Sequence, residues 1–471
     1  MKIVLLILLF LQRSLWGNCF DPTEIYDVII VGAGISGLSA GETLRKNGIK
    51  NILVLEADSR IGGRIWTVDP WGSKLELGAS WIHGIENSPV FEIVKNLNVT
   101  LQPTIYNASC LSCKLNSMVI YDENGKRLPS KQVARLKNNA EKFEAYIDSI
   151  NAKGRNHTLT YLNALDLYAK EQNFSPEMYN QFYFITRLLN TYELPADLEN
   201  MSVSIEESYK TTKVSGTNAL IPLGYNLVAD KLAKNLPVQL NCRVDQISYN
   251  DQEVQLNTSQ GLFKATYCII TVPLGVLKNE GIKFSPALPE EKQSAIENLQ
   301  MGLFDKVYLF YPCVFWDKDV EWIESISPEN ERDRIFDILN LQLYFKQSIL
   351  LCFTAGSFAK EVEEWTDQQT VDAIQETLRK IYGENIPNPS SYLITRWGKS
   401  PFAFGSYSYP SFDTTPATYD ALAKPVNGRL FFSGEATSNT DPSTVLGAYT
   451  TGMRAAHEIL QTKDIEPIQE D

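Results

Sequence analysis

The chain has 471 residues, 44% hydrophobic and 21% charged, enough for a sizeable core and, at roughly 150 residues per domain, for two or three domains. Its 27 Gly and 22 Pro are ordinary amounts, so a stapled mini-protein, a collagen-like chain and a disordered chain are excluded. The formal charge of -13, from 43 Lys and Arg against 56 Asp and Glu, repels the phosphate backbone that dominates nucleic-acid affinity and favours cationic partners.

Residues 1–18 read as a cleaved secretory signal. Lys2 precedes the apolar run Ile3 to Leu11, and Gly17 ahead of Asn18 offers a small residue at the cleavage point. Removal takes Lys2 and Arg13 and leaves 41 basic against 56 acidic residues, a net charge of -15. No later window approaches the ~20 apolar residues that span a bilayer. The mature chain is therefore expected to be secreted and to carry no membrane anchor.

Next comes a β-α-β unit. Tyr26 to Val31 is a short β-branched run, Gly32-Ala-Gly-Ile-Ser-Gly37 a turn, Leu38 to Lys46 a helix closed by Asn47-Gly48, and Asn51 to Leu55 a second buried strand ending at Glu56. Residues 85 to about 215 carry long helical patterns, Ser130 to Asn151 and Pro176 to Leu189, without a cofactor motif. Strand-like runs resume at Val238 to Leu240, Val244 to Tyr249, Glu253 to Leu256 and Thr266 to Val272. Mixed segments follow from 288 to about 395, then a strand Arg429 to Phe432 and a helix from about Leu446 to Leu460.

Seven cysteines (Cys19, Cys110, Cys113, Cys242, Cys268, Cys313 and Cys352) permit one or two disulfides in an oxidising compartment. Cys110-x-x-Cys113 lacks the second ligand pair that zinc needs and reads as a local disulfide or two thiols, so no metal site is expected. Six N-x-S/T sequons, at Asn98, Asn107, Asn156, Asn173, Asn200 and Asn257, permit glycosylation without arguing for it.

Gly32-x-Gly34-x-x-Gly37 has the strand before it, the helix after it and Glu56 nineteen residues further on. The first glycine permits the tight turn, the second lets a pyrophosphate approach, and the third lets helix pack on strand. Glu56 suits the two ribose hydroxyls and repels a 2'-phosphate. Arg60-Ile-Gly62-Gly63-Arg64 adds backbone that can lie against a flat ring and a guanidinium fork for phosphate. Near the other end, Phe431-Phe-Ser-Gly434-Glu435-Ala-Thr437 offers a carboxylate and amides for a ribityl chain.

With Leu77-Gly-Ala-Ser-Trp81-Ile-His83-Gly84 and Thr271-Val-Pro-Leu274-Gly-Val-Leu277, these motifs make the chain resemble the flavin-containing amine oxidases, closest to the polyamine and spermine oxidase branch. The motifs run from residue 26 to 454, with 85–215 poorly matched. The resemblance implies an α/β plus α+β fold. A discontinuous Rossmann-like FAD-binding domain would take 25–90, 215–300 and 396–462; a substrate-binding domain on a mixed sheet flanked by helices would take 91–214 and 301–395; and 463–471 would be a tail.

The resemblance also implies site residues. Gly34 and Gly37 would serve the pyrophosphate, with Gly32 in the same cofactor-binding turn, Glu56 the ribose, Arg64 the pyrophosphate and flavin surroundings, Val244 the adenine through its backbone, and Glu435 the ribityl side. Lys306 matches the lysine that holds a water against the flavin N5 atom, and His83 stands near the substrate channel. Trp397, Tyr407 and Tyr449 occupy places where the family builds an aromatic cage. Glu193 is the candidate carboxylate for a distant substrate ammonium. No Cys lies beyond Cys352, so the FAD is expected to be non-covalent.

The implied activity is oxidation of a secondary amine of spermine or spermidine type by dioxygen, giving an aldehyde, a shorter amine and hydrogen peroxide. An L-amino-acid oxidase on the same fold is the rival enzyme; it needs an arginine facing the substrate carboxylate. A non-catalytic secreted flavoprotein that binds a partner is the rival from another class. Oligomeric state is not legible in the chain.

Overall fold

A computed structural model describes residues 24–105, 117–152, 158–191, 195–204, 208–210, 212–463 and 465. The signal segment, Cys19, Cys110, Cys113, Glu193 and the sequons at Asn107 and Asn156 lie outside the described residues, as does the tail apart from Lys463 and Ile465.

Two sheets organise the chain. The first has eight strands in the order Lys283–Ser285, Val244–Tyr249, Val254–Thr258, Gly261–Ile270, Ile25–Val31, Ile52–Leu55 and Val238–Gln239, with Leu430–Phe432 paired in parallel to Gly261–Ile270. Strand alternation sends Val28 and Ile30 into one core with Leu38 and Leu44, and Ile29 and Val31 into another with Leu55 and Cys268. Helix covers the first face: Ile35–Lys46 packs on the long helix Val445–Thr462, where a Cβ on Gly452 would meet Ser36 O at 2.1 Å. Only glycine allows that approach.

The second sheet has six strands in the order Ser391–Ile394, Phe304–Phe310, Ile349–Ala355, Asp337–Asn340, Trp322–Ser325 and Met118–Tyr121, antiparallel except for the last pair. One face carries Tyr308, Leu351 and Phe353 towards Leu75 and Leu77 of the first part of the chain. The other carries Val307, Leu309 and Cys352 onto the helix Asp367–Tyr382 through Ile374 and Leu378. The helices Ser130–Asn151, Tyr161–Glu171 and Pro176–Thr191 form a separate aromatic cluster around Phe143, Tyr168 and Phe182.

The segments that feed each sheet are separated in sequence, as the discontinuous two-domain fold requires. The helix Pro89–Asn96, which the sequence reading divides at residue 90, packs whole in the first core through Val90 and Val94. Its apolar face matches that core and not the aromatic cluster. Of the seven cysteines, Cys242, Cys268, Cys313 and Cys352 are free thiols.

Candidate active site

The register of the parallel strands assembles the first half of the site. Val31 pairs with Leu55 and Ile270, and Ile270 pairs with Phe432. The residues that follow each strand, Gly32, Glu56, Thr271 and Ser433, therefore emerge side by side at one carboxyl edge, where open α/β sheets bind ligands. Gly32 takes φ +107°, and a Cβ on Gly37 would stand 2.0 Å from Gly32 O. Turn and helix touch through bare backbone.

Gly34 is different, because a Cβ there would meet nothing within 4 Å. It faces open space at the start of a helix that has no side-chain cap, so free N–H groups and the helix dipole point at the space a pyrophosphate needs. Gly62 and Gly63, at φ +98° and +57°, lay a second loop against the first, with Gly62 N–H donating to Ala33 O at 2.9 Å. Arg60 staples that loop by donating to Gly63 O at 2.7 Å, and its guanidinium lies 4.2 Å over the Trp66 ring.

Glu56 is buried and accepts from Ala33 N–H at 2.6 Å and Asp58 N–H at 2.8 Å. Burial raises its carboxyl pKa, and those two N–H donors oppose the rise. Cys242 N–H donates to Glu56 O at 2.8 Å, which starts the strand of Val244 beside this carboxylate, with a register shift between Val244 and Gln246. Arg64 Nη1 forms an ion pair with Glu435 at 2.8 Å and donates to Ser406 O at 3.0 Å. Glu435 also accepts from Ser408 Oγ at 2.5 Å, Ser408 N–H at 3.2 Å and Ser443 N–H at 2.9 Å. The carboxylate thus ties together three stretches around the edge.

The second half centres on Lys306. Its strand neighbours alternate, and the side chain points to the face shared with Phe353, 5.9 Å from that ring and 6.0 Å from the ring of Trp81. Nζ donates to Glu76 O at 2.8 Å, Gly78 O at 2.5 Å and Ser80 Oγ at 2.5 Å. This collar uses all three ammonium hydrogens. Burial lowers the amine pKa, and the carboxylate of Glu76 opposes the shift. Glu76 itself is raised by burial, against hydrogen bonds from Tyr225 N–H at 2.8 Å and Thr67 Oγ1 at 2.9 Å.

Trp397 belongs to the same assembly. Its Nε1 donates to Leu77 O at 3.0 Å, inside the collar segment, and its ring meets Trp66 edge-on at 6.3 Å. Tyr407 is half-buried 6.2 Å from Phe304, and its carbonyl accepts from Gly302 N–H at 2.9 Å. Tyr449 sits in the core that joins the two long helices of the first domain, its carbonyl accepting from Ser39 Oγ at 2.8 Å. Core packing accounts for that residue.

His83 follows the two-residue strand Trp81–Ile82, which pairs with Ala219–Leu220, and Gly84 N–H is held by Asn218 Oδ1 at 3.1 Å. The imidazole is accessible, yet the surrounding protein still lowers its pKa by desolvation.

The residues that sequence reasoning missed are the supports: Ser80 and Glu76 around Lys306, Arg60 beneath the glycine loop, and Asp305, whose Oδ1 accepts from Thr395 Oγ1 at 2.7 Å and Trp397 N–H at 3.0 Å. Ser80 and Arg60 lie inside motifs already singled out, but nothing in the string marks them as contacts.

The glycine cradle that stays open at Gly34, the buried carboxylate of Glu56 and the Arg64–Glu435 edge fit an FAD. A family profile described as flavin containing amine oxidoreductase matches residues 35–460. Polyamine oxidase 2 of Arabidopsis thaliana is 32% identical over 456 residues, covering 94% of this chain and 90% of that protein. Polyamine oxidase 4 of Oryza sativa subsp. japonica is 33% identical, covering 94% and 89%. Lysine-specific histone demethylase 2 of Homo sapiens is 30% identical, covering 92% of this chain and 53% of that protein. A solved structure of putrescine oxidase superposes with a TM-score of 0.72 at 20% identity, covering 93% of this chain and 99% of that one, which establishes the shared fold. The chain belongs to the flavin-containing amine oxidase family and is an FAD-dependent amine oxidase.

Proposed function

We propose that the chain is a secreted polyamine oxidase. It oxidises the carbon next to a secondary amine of spermine- or spermidine-type substrates, and with water and dioxygen this yields an aldehyde, a shorter amine and hydrogen peroxide. The observation that carries the reading is Lys306 locked in the Glu76–Gly78–Ser80 collar beside Trp397, at the join of the FAD cradle and the second sheet. Bound FAD supplies the hydride acceptor and the route to dioxygen.

The chain supplies position and proton control. Gly34, Glu56, Arg64 and Glu435 would hold the cofactor, with Val244 at the adenine end. Lys306, fixed by three acceptors, presents a buried amine whose lowered pKa lets it give up or take a proton near neutrality. His83, kept neutral by its surroundings, can accept a hydrogen bond from a substrate nitrogen and favour the unprotonated amine. Trp397 and Tyr407 offer apolar faces that guide an aliphatic chain and exclude water.

Secretion rests on the N-terminal signal pattern, and the four sequon asparagines among the described residues, Asn98, Asn173, Asn200 and Asn257, are all exposed. The deciding experiment is anaerobic: spermine, spermidine and their acetylated forms are each added to FAD-loaded protein and bleaching of the flavin absorbance is followed. Bleaching by L-leucine or L-phenylalanine instead would assign an L-amino-acid oxidase. A flavin that stays oxidised with every amine would assign a non-catalytic flavoprotein.

A further inference from the structure

Behind Lys306, on the face of its strand turned away from the collar, two buried acids grip one turn. Asp305 Oδ1 accepts the N–H of Trp397 at 3.0 Å, and Glu363 Oε1 accepts the N–H of the next residue, Gly398, at 2.7 Å. The two acids hold neighbouring amides of one turn, and the Glu363 carboxyl lies within side-chain hydrogen-bonding reach of Asp305. Asp305 is 2% and Glu363 6% exposed. A Cβ on Gly398 would fall 2.7 Å from Glu363 Oε2, so the carboxyl lies flat against that glycine. Among the described residues, Asp305 Oδ2 is buried without a hydrogen-bond partner.

We propose that Asp305 and Glu363 share a single proton and act as one positioning pair that holds the Trp397–Gly398 turn against the collar of Lys306. Two like charges in contact in a buried site cannot both ionise, and a bridging proton gives the orphaned Oδ2 its partner. Among the described residues, no cation intervenes. Lys399 donates to the Glu363 backbone carbonyl at 2.6 Å and pairs with Glu364 at 3.1 Å, Arg396 pairs with Asp367 at 2.8 Å, and Lys306 points to the opposite face. Burial holds the Asp305 carboxyl well above its ordinary range, and the charge of Glu363 pushes the same way against the N–H and hydroxyl donors.

The pair reaches both parts of the site. Asp305 fixes Trp397, whose indole ties to Leu77 O, and it holds Thr395 Oγ1, which accepts the Lys306 N–H at 2.8 Å. One proton therefore sets the backbone of the aromatic wall and of the reactive lysine. The inference rests on the FAD-dependent amine oxidase assignment and is independent of which amine is oxidised.

The test compares wild type, Asp305→Asn, Glu363→Gln and Asp305→Ala as FAD-loaded protein. An amide in place of either acid supplies a permanent donor to the other, so the clamp survives but the proton disappears. In pH-difference infrared spectra, wild type shows a protonated-carboxyl band that is lost as pH rises, and both amide variants lack it. The raised carboxyl binds its proton in the folded state above the ordinary unfolded value of about 4. Stability from the pair is thus full below that value and lost as pH rises through the folded pKa.

The melting temperature of wild type should accordingly fall more steeply with pH than that of Asp305→Asn. Asp305→Ala, which keeps neither acceptor nor donor, should quench or shift the tryptophan fluorescence that Asp305→Asn preserves. If Asp305→Asn does not fold, Glu363→Gln gives the same reading. Absence of the wild-type band, or melting curves that run parallel in pH for wild type and amide variants, overturns the proposal.

Discussion

Arg64 and Glu435 stand 371 positions apart in the chain and form an ion pair of 2.8 Å at the carboxyl edge of the first sheet. The carboxylate also gathers Ser408 and Ser443, so it closes the ring of segments around the FAD cradle. Glu435→Ala strands buried donors, each costing about 1–3 kcal/mol. We expect an overall loss of about 3 kcal/mol, in the range found when one partner of a buried pair is removed. A lower urea midpoint and faster FAD release on dilution check this, and an unchanged midpoint would remove Glu435 from the framework.

Two glycines of one motif should respond oppositely to the same methyl group. Gly34→Ala meets no atom within 4 Å and should fold normally but lose most of its FAD, because the methyl fills the space left for pyrophosphate. Gly37→Ala puts its Cβ 2.0 Å from Gly32 O and should fail to fold. Far-ultraviolet circular dichroism and the flavin-to-protein absorbance ratio separate the two outcomes.

Lys306→Met should keep FAD and slow the oxidation cycle by about 100-fold or more, the usual contribution of a positioned proton donor or acceptor. Burial lowers the Lys306 amine, so the folded protein binds this proton less tightly than the unfolded chain. Stability should therefore rise with pH between the lowered value and the ordinary ~10.4. The methionine variant should lack that rise in a series of urea melts.

His83→Ala should raise KM for the favoured polyamine about tenfold, the worth of one hydrogen bond, with an unchanged flavin spectrum. Because desolvation lowers the imidazole pKa, wild type should keep a neutral His83 down to a pH below the ordinary ~6.5. A loss of kcat/KM that begins above that value would implicate another group.

The acidic surface gives a kinetic prediction. With a net charge of -13 for the full chain, kcat/KM for spermine should fall when ionic strength rises from about 0.01 M to about 0.1 M, as the screening length shrinks from about 30 to about 10 Å. A flat response would reduce the acidity to a matter of solubility.

The FAD half of the site was legible because its signals are local. Gly32, Gly34 and Gly37 sit within six residues, and Glu56 ends the very next strand, so strand, turn and helix periodicity place them without knowledge of distant partners. The same reading singles out Lys306, His83 and Trp397 by motif. It did not reveal the collar, which joins Lys306 to Glu76, Gly78 and Ser80 across 226 to 230 positions.

Tyr449 marks the limit most clearly. Its motif suggested the substrate cage, whereas the helix face it occupies packs it in the core beside Ser39. The sequence by itself determined the domain type and the cofactor, since each depends on residue type at short spacing. Only the tertiary structure decided that Asp305 and Glu363 grip one turn and that Ser80 closes the collar. Strand register and helix packing set those contacts, and both are settled by burial summed over segments 35 to 226 positions apart in the chain.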